Sequence, residues 1–238
     1  MKLEKLINKI SSIAAVLVIY IVALSFYLGA KGFYIDSNHN IVLKAPEAIA
    51  AESPKTIPLN ANLPWGHSIG SSSAPITIYE YSSFGCSHCA DFHRDTLPQL
   101  MKNEINTGKV RLVFTPYPLD KASLKAAVLA ECVSKTRYFD FINTLFEKQF
   151  SWGMSLNTEK SLAKLAEPFG ISASRAEACM KDLDQAQEIL NDRQEATSVI
   201  GIEGTPTFVI ATKKSREVVF GFMNYNELKS KIENLLGR

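Results

Sequence analysis

Two cysteines separated by two residues, Cys86-Ser87-His88-Cys89, are the part of this chain best suited to do chemistry. A disulfide needs Cα atoms about 4.4–6.8 Å apart, and positions i and i+3 of a first helical turn supply that spacing. The stretch before the pair, ITIYEYS (76–82), is short, β-branched and aromatic, as a strand buried on both faces should be. The stretch after it, 90–103, reads as helix. The cysteines thus fall at a strand-to-helix junction, where unpaired N–H groups and the helix dipole favour negative charge. A thiolate at Cys86 is stabilised by such a position, and the thiolate is the reactive form. His88 could add positive charge or a hydrogen bond. A stabilised thiolate favours the dithiol, which makes the corresponding disulfide a stronger oxidant. Cys89, one turn deeper, reads as the less exposed, resolving thiol.

Two plainer readings compete. The pair could be a structural disulfide. Alternatively Cys86, Cys89 and His93 fall at i, i+3 and i+7 on one helical face and could begin a zinc site. A closed zinc site needs a fourth ligand, and the chain has no second CxxC and no HxxxH to supply one. No metal or other cofactor is expected.

The elements that must hold the cysteines follow from periodicity. A second strand is predicted over 110–115 (VRLVFT), and signals from about 121 to 200 are almost wholly helical. Gly170 ends one of these helices, and Ser172 or Ser174 could cap the next. Strand character returns at 207–211 and 217–220, and a last amphipathic helix is predicted over 226–236 with Asn226 as its N-cap. One sheet with helices on both faces and an all-helical insertion accounts for this order. Before the strand at 207 stands Gly204-Thr205-Pro206-Thr207-Phe208; proline is acceptable at a strand's start, and an X-Pro bond there can be cis.

With APITIYEYSSFGCSHCADFH, GTPTFVI and the helical block between them, the chain resembles the bacterial thioredoxin-like disulfide oxidoreductases of the DsbA type, from about Ala74 to the C-terminus. The resemblance implies an α/β thioredoxin-like fold with a helical insertion. It makes Cys86 the attacking cysteine, Cys89 the resolving one, and Thr205-Pro206 a cis-proline loop that faces them and binds extended substrate. Glu80 matches a buried acid that moves protons to or from the resolving cysteine. Independently, Glu80 shares parity with Ile76 and Ile78 and should point into the same interior. Ser87 departs from the family, where proline is common, and Thr205 also occurs in relatives with isomerase or reductase roles. The implied partners are reduced exported client proteins and a quinone-linked membrane protein that reoxidises the enzyme.

Four cysteines allow three pairings. Cys86 and Cys89 can pair locally, which leaves Cys132 and Cys179, both in the predicted insertion. They read either as two buried thiols or, in an oxidising compartment, as a structural disulfide such as some relatives carry.

The compartment follows from the N-terminus. Lys2, Lys5 and Lys9 precede an uncharged, apolar run over 10–30, long enough to span a bilayer and oriented with its N-terminus in the cytoplasm. Residues 1–30 therefore read as a signal anchor or as a cleaved signal peptide, and both export the rest of the chain. The expected location is periplasmic, anchored in the inner membrane by 10–30 or soluble after cleavage. Residues 31–62, with Pro46, Pro54 and Pro58, read as a semi-flexible linker, and 63–238 as the folded domain. A net charge of +2 across 238 residues, without a basic cluster, argues against nucleic acid as a partner. Three functions remain on this evidence: a dithiol oxidase of exported proteins, an isomerase or reductase of the same fold, and a membrane-tethered chaperone or binding protein with an inert site.

Overall fold

The computed structural model of the protein describes residues 55–237 apart from 62, 64 and 65, together with two short strands nearer the N-terminus. Those two, β1 (Phe33–Ile35) and β2 (Ile41–Leu43), pair antiparallel with Phe33 opposite Leu43. They lie in a unit separate from the body, which begins at Pro54. Both strands fall within 31–62, the segment expected to be a semi-flexible linker. The body also starts earlier than the boundary drawn at 63, because β3 (Lys55–Thr56) joins the main sheet and Ile57 is buried. Strands of two or three residues are too short to show a period. The apolar run over 10–30 lies outside the described residues; among those described, no helix is long and apolar enough to cross a membrane.

The body is built on a six-stranded sheet of order β3-β8-β7-β5-β6-β4. Its members after β3 are β4 (His67–Ile69), β5 (Ile76–Ser82), β6 (Val110–Pro116), β7 (Thr207–Ala211) and β8 (Arg216–Phe220). β5 is central, parallel to β6 and antiparallel to β7. Its near-continuous apolar sequence fits that place, since both faces are covered. On one face, Ile76 and Ile78 pack with Phe92, Leu97 and Leu100 and with Leu228 and Ile232 of a C-terminal helix. On the other, Tyr81 and Val209 pack with Ala196 and Ile200.

Helix α1 covers 87–105, longer than the predicted 90–103 and not uniformly α. It begins as Ser87–Asp91, widens to a π turn over Phe92–Thr96, resumes over Leu97–Leu100 and widens again over Met101–Ile105. In the first wide turn the Leu97 N–H reaches back five residues to the Phe92 carbonyl. Pro98 gives the physical reason: it has no N–H to donate and would press on the carbonyl four residues back in a regular α-helix.

Between β6 and β7 the chain forms the helical block: α2 (Lys121–Glu131), α3 (Tyr138–Glu147), α4 (Gln149–Gly153), α5 (Thr158–Ala166), α6 (Ala173–Met180) and α7 (Leu183–Ile200). Asp120 caps α2 by accepting from the Ser123 N–H at 2.8 Å. Gly170 adopts φ 84°, the left-handed conformation glycine takes at no cost, and Ser172 caps α6. Helix α8 (Tyr225–Leu235) starts slightly earlier than predicted. Its N-cap is Asn224, not Asn226, because Asn224 and Glu227 form a reciprocal capping box. The insertion has its own core of Phe141, Ile142, Leu145 and Trp152, and that core takes in Phe84, Cys89 and Ala90 from the CxxC segment.

Candidate active site

β5 ends at Ser82, a tight turn follows, and Cys86 becomes the N-cap of α1 with extended backbone (φ −86°, ψ 122°). The turn is closed by the Cys86 N–H donating to the Ser83 carbonyl at 3.0 Å. It lies close against the start of the insertion, so that a side chain at 85 would have to displace the tips of Ser123 and Asp120. A Cβ there would stand 2.6 Å from Ser123 Oγ and 2.7 Å from Asp120 Oδ2. Gln149, at the start of α4, holds the turn from the other side, donating to the carbonyls of Phe84 (2.7 Å) and Cys86 (2.8 Å).

Both cysteines carry free thiols; Cys86 is half-buried and Cys89 is fully buried. Cys86 is pulled from 9.0 down to about 5. The largest cause is the hydrogen bond from the Cys89 side chain. The Thr205 side chain and the N–H groups of Cys89 and His88 add to it, against the opposing effect of burial. At pH 7 that leaves about a hundred thiolates per thiol, where an ordinary cysteine is mostly protonated. Burial pushes Cys89 far the other way, and the neighbouring Cys86 reinforces the rise; the Ser82 hydroxyl and Ser83 backbone only partly offset it. One sulfur is poised to attack or leave as an anion, and the other holds its proton.

Of the two contributions expected of His88, charge or a hydrogen bond, the hydrogen bond comes from its backbone. Its ring is 70% exposed and turns to Asp91, 3.6 Å away, so its backbone N–H rather than its imidazole serves the thiolate.

The Thr205–Pro206 peptide is cis, and β7 starts directly after it. Antiparallel pairing of Tyr81 with Thr207 carries the loop to the end of β5, so the Thr205 carbonyl lies 3.2 Å from Cys86 Sγ. Thr205 Oγ1 is buried beside Cys86, whereas the Pro206 carbonyl is taken by the Gly221 N–H.

Behind the cysteines lies Glu80, fully buried on the face that Ile76 and Ile78 share. Ser82 donates a short hydrogen bond to Glu80 Oε1 and also bonds Cys89. Glu80 Oε1 is 3.0 Å from His93 Nε2, and His93 Nδ1 is 2.7 Å from Asn143 Oδ1 on α3. Glu80 Oε2 is buried and has no partner among the described residues. Both His93 nitrogens are thus engaged away from the two sulfurs, and the zinc arrangement considered for Cys86, Cys89 and His93 is not formed. No cluster of metal-ligating side chains occurs among the described residues.

Cys132, the C-cap of α2, and Cys179 in α6 are joined in a disulfide, Cα to Cα 6.4 Å, across 47 positions of sequence. It stays within the insertion, apart from Cys86 and Cys89.

The structure brings the expected residues Cys86, Cys89, Glu80 and Thr205-Pro206 together, and adds Ser82, Asn143 and Gln149, which were not expected. Ser82 shares the parity of Glu80 and could have been found that way. Asn143 and Gln149 come from a distant part of the chain with no local signal.

A thioredoxin family model (Thioredoxin_4) matches residues 63–234. Among curated proteins the chain is 29% identical over 175 residues to "Disulfide bond formation protein D" of Bacillus subtilis, covering 71% of this chain and 76% of that one. It is 23% identical over 179 residues to a "Putative protein-disulfide oxidoreductase" of Rickettsia felis, covering 74% and 64%. The chain spans 52–64% of the length of the rickettsial relatives it matches. Of solved structures, alpha-DsbA1 of Wolbachia pipientis superposes with TM-score 0.67 at 29% identity, covering 75% of this chain and 94% of that one. Oxidised BdbD of Bacillus subtilis gives 0.66 at 26%, covering 77% and 100%. The sheet order, the helical insertion and the CxxC at the head of α1 agree with that match, and the chain belongs to this thioredoxin family.

Proposed function

We propose that the chain is a thiol–disulfide oxidoreductase that introduces disulfide bonds into exported proteins. The observation that carries this reading is the contrast at one helix N-terminus: Cys86 held down to about 5, Cys89 pushed well above its ordinary range. Stabilising the Cys86 thiolate stabilises the dithiol, and so raises the oxidising power of the disulfide.

In the oxidised enzyme a client thiolate attacks Cys86 Sγ. The Cys86–Cys89 bond breaks, its electron pair goes to Cys89, and Cys86 joins the client in a mixed disulfide. The client's second thiolate then attacks its own sulfur in that bond. Cys86 leaves as the anion the site favours, and oxidised client departs with two electrons left on the enzyme. Thr205, beside Cys86, presents backbone and hydroxyl to an extended client segment. Reoxidation needs an electron acceptor, which the resemblance assigns to a quinone-linked membrane protein. The apolar run over 10–30 would keep that encounter local as an anchor, or export the domain as a signal peptide.

The test is equilibration with glutathione redox buffers, together with oxidation of a dithiol peptide by stoichiometric enzyme. A potential well above about −270 mV, the thioredoxin value, and formation of the peptide disulfide are expected. A potential near −270 mV would favour the reductase or isomerase reading that Ser87 and Thr205 keep open.

A further inference from the structure

The mechanism leaves Cys89 as a buried thiolate each time the Cys86–Cys89 disulfide opens. A fully buried anion is costly, and burial already drives Cys89 toward its protonated form. Cys89 therefore needs a proton in place when the bond breaks, from a source that does not require bulk water to enter the core.

We propose that His93 is that source's proton holder: His93 and Glu80 share one proton, which reaches Cys89 Sγ through the Ser82 hydroxyl. The geometry is continuous. Asn143 Oδ1 can only accept, so at 2.7 Å it fixes the proton-bearing nitrogen of His93 as Nδ1. That directs Nε2 at Glu80 Oε1, 3.0 Å away. Oε1 is the same atom that Ser82 Oγ bonds, and Ser82 in turn bonds Cys89. The side chains of His93 and Glu80 are 2% and 0% exposed, so a single proton between them is not exchanged for a hydration shell.

The step balances as follows. The client thiolate bonds to Cys86 Sγ, and the Cys86–Cys89 bond pair moves to Cys89. The Ser82 hydroxyl turns its one hydrogen from Glu80 Oε1 to Cys89, which takes that proton, and Ser82 takes the shared proton from Glu80 Oε1. Glu80 is left as a carboxylate beside neutral His93, and the dyad regains a proton from solvent between turnovers. Disulfide formation runs the same transfers in reverse. His93 never touches the reacting sulfurs; it acts through Glu80 and Ser82, as a positioning residue for the proton.

Other ionisable groups around the dyad are few. Cys86 caps α1 and Cys89 lies in its first turn, and Tyr138 on α3 interacts electrostatically with Glu80. Glu131 of α2 bonds Tyr138 and pairs with His67 of β4 at 2.8 Å. Phe114 of β6, Phe146 of α3 and Phe208 of β7 complete the surround with apolar rings. Among the described residues, none of these ionisable groups hydrogen-bonds His93, whose ring stacks on Phe146 at 4.1 Å.

This inference rests on the exchange chemistry proposed above, and the test keeps the two separable. The full oxidised chain is mixed with reduced glutathione in stopped flow from pH 4 to 9, with rates expressed per glutathione thiolate. The native protein is expected to show an inflection contributed by the dyad. His93→Gln, which can still hydrogen-bond but cannot titrate, should flatten that inflection and slow opening by about a hundredfold, at the lower end for a lost proton donor. His93→Asn gives a second variant should the first fold poorly. Asn143→Asp sets a carboxylate beside Nδ1, favours the protonated dyad and should move the inflection to higher pH. A His93→Gln rate lowered equally at every pH, with the inflection intact, makes His93 a packing residue and overturns the proposal, as does an unchanged rate. An inflection with a thioredoxin-like potential overturns the oxidase reading alone. An oxidising potential with no inflection overturns the dyad alone.

Discussion

Two cysteine pairs in one chain have opposite fates. Cys86 and Cys89 are two residues apart at the head of α1, with free thiols, and the surrounding groups drive their proton affinities in opposite directions. Cys132 and Cys179 are 47 positions apart, are joined, and tie α2 to α6. The difference lies in the surroundings rather than in the cysteines. The first pair has a helix N-terminus, the Thr205 loop and a polar chain leading to Glu80. The second has the insertion's apolar core around it. Reactivity needs groups that stabilise an anion, and stapling needs only two helices that pass at the right distance.

The sharpest way to break the comparison is to exchange the losses. Cys86→Ala should abolish disulfide transfer to a dithiol peptide, a loss of at least about 10³-fold, while the fold persists. Transfer unaffected by the change would favour the tethered chaperone reading. Replacing Cys132 and Cys179 together by Ala should leave exchange near native and lower stability by about 3–4 kcal/mol in denaturant titration, the chain-entropy value for a loop of this size. If exchange collapsed instead, the second pair would be part of the redox machinery.

Gln149→Ala tests whether the insertion holds the reactive turn. Two side-chain hydrogen bonds to backbone carbonyls are lost, so a destabilisation of about 1–2 kcal/mol is expected in urea. A faster, less selective reaction at Cys86 should accompany it. The smallest effect concerns Thr205. Thr205→Val should raise the Cys86 pKa by roughly one unit, followed by thiolate absorbance. The same titration carries a sign for stability. Cys86 is depressed in the folded dithiol, so its contribution is fully present above its unfolded value of 9.0 and is lost as pH falls through about 5. The melting temperature of the reduced protein, measured relative to the oxidised form, should fall over that window.

How much of this could be read in advance depended on the range of each interaction. β5, β6 and β7 were legible because they are apolar runs of five residues or more. β4 and the hairpin strands, three residues each, were not. Cys86 and Cys89 followed from spacing, and Glu80 from the period of two along β5. For His88 either positive charge or a hydrogen bond was expected, and it is the backbone N–H that bonds Cys86, because sequence gives a residue's position on a helix but not the turn of its ring. His93 was noticed for the right spacing and the wrong chemistry. Its partners, Glu80 and Asn143, are 13 and 50 positions away. Gln149 is 63 positions from the carbonyl of Cys86 that it holds, and only tertiary folding shows it.

The wide turn at Phe92–Thr96 gives the chain an asymmetric response to changes of length. It holds one residue more than the same span of α-helix would. Before and within it, Cys89 and His93 are phased to the reactive turn; beyond it, Leu97 and Leu100 are phased to the sheet. Removing one residue from the wide turn would restore a regular helix and keep both phases, whereas inserting one more would rotate everything beyond it by about 100° relative to the cysteines. A deletion there leaves the core and the redox centre aligned, and an insertion forces a choice between them.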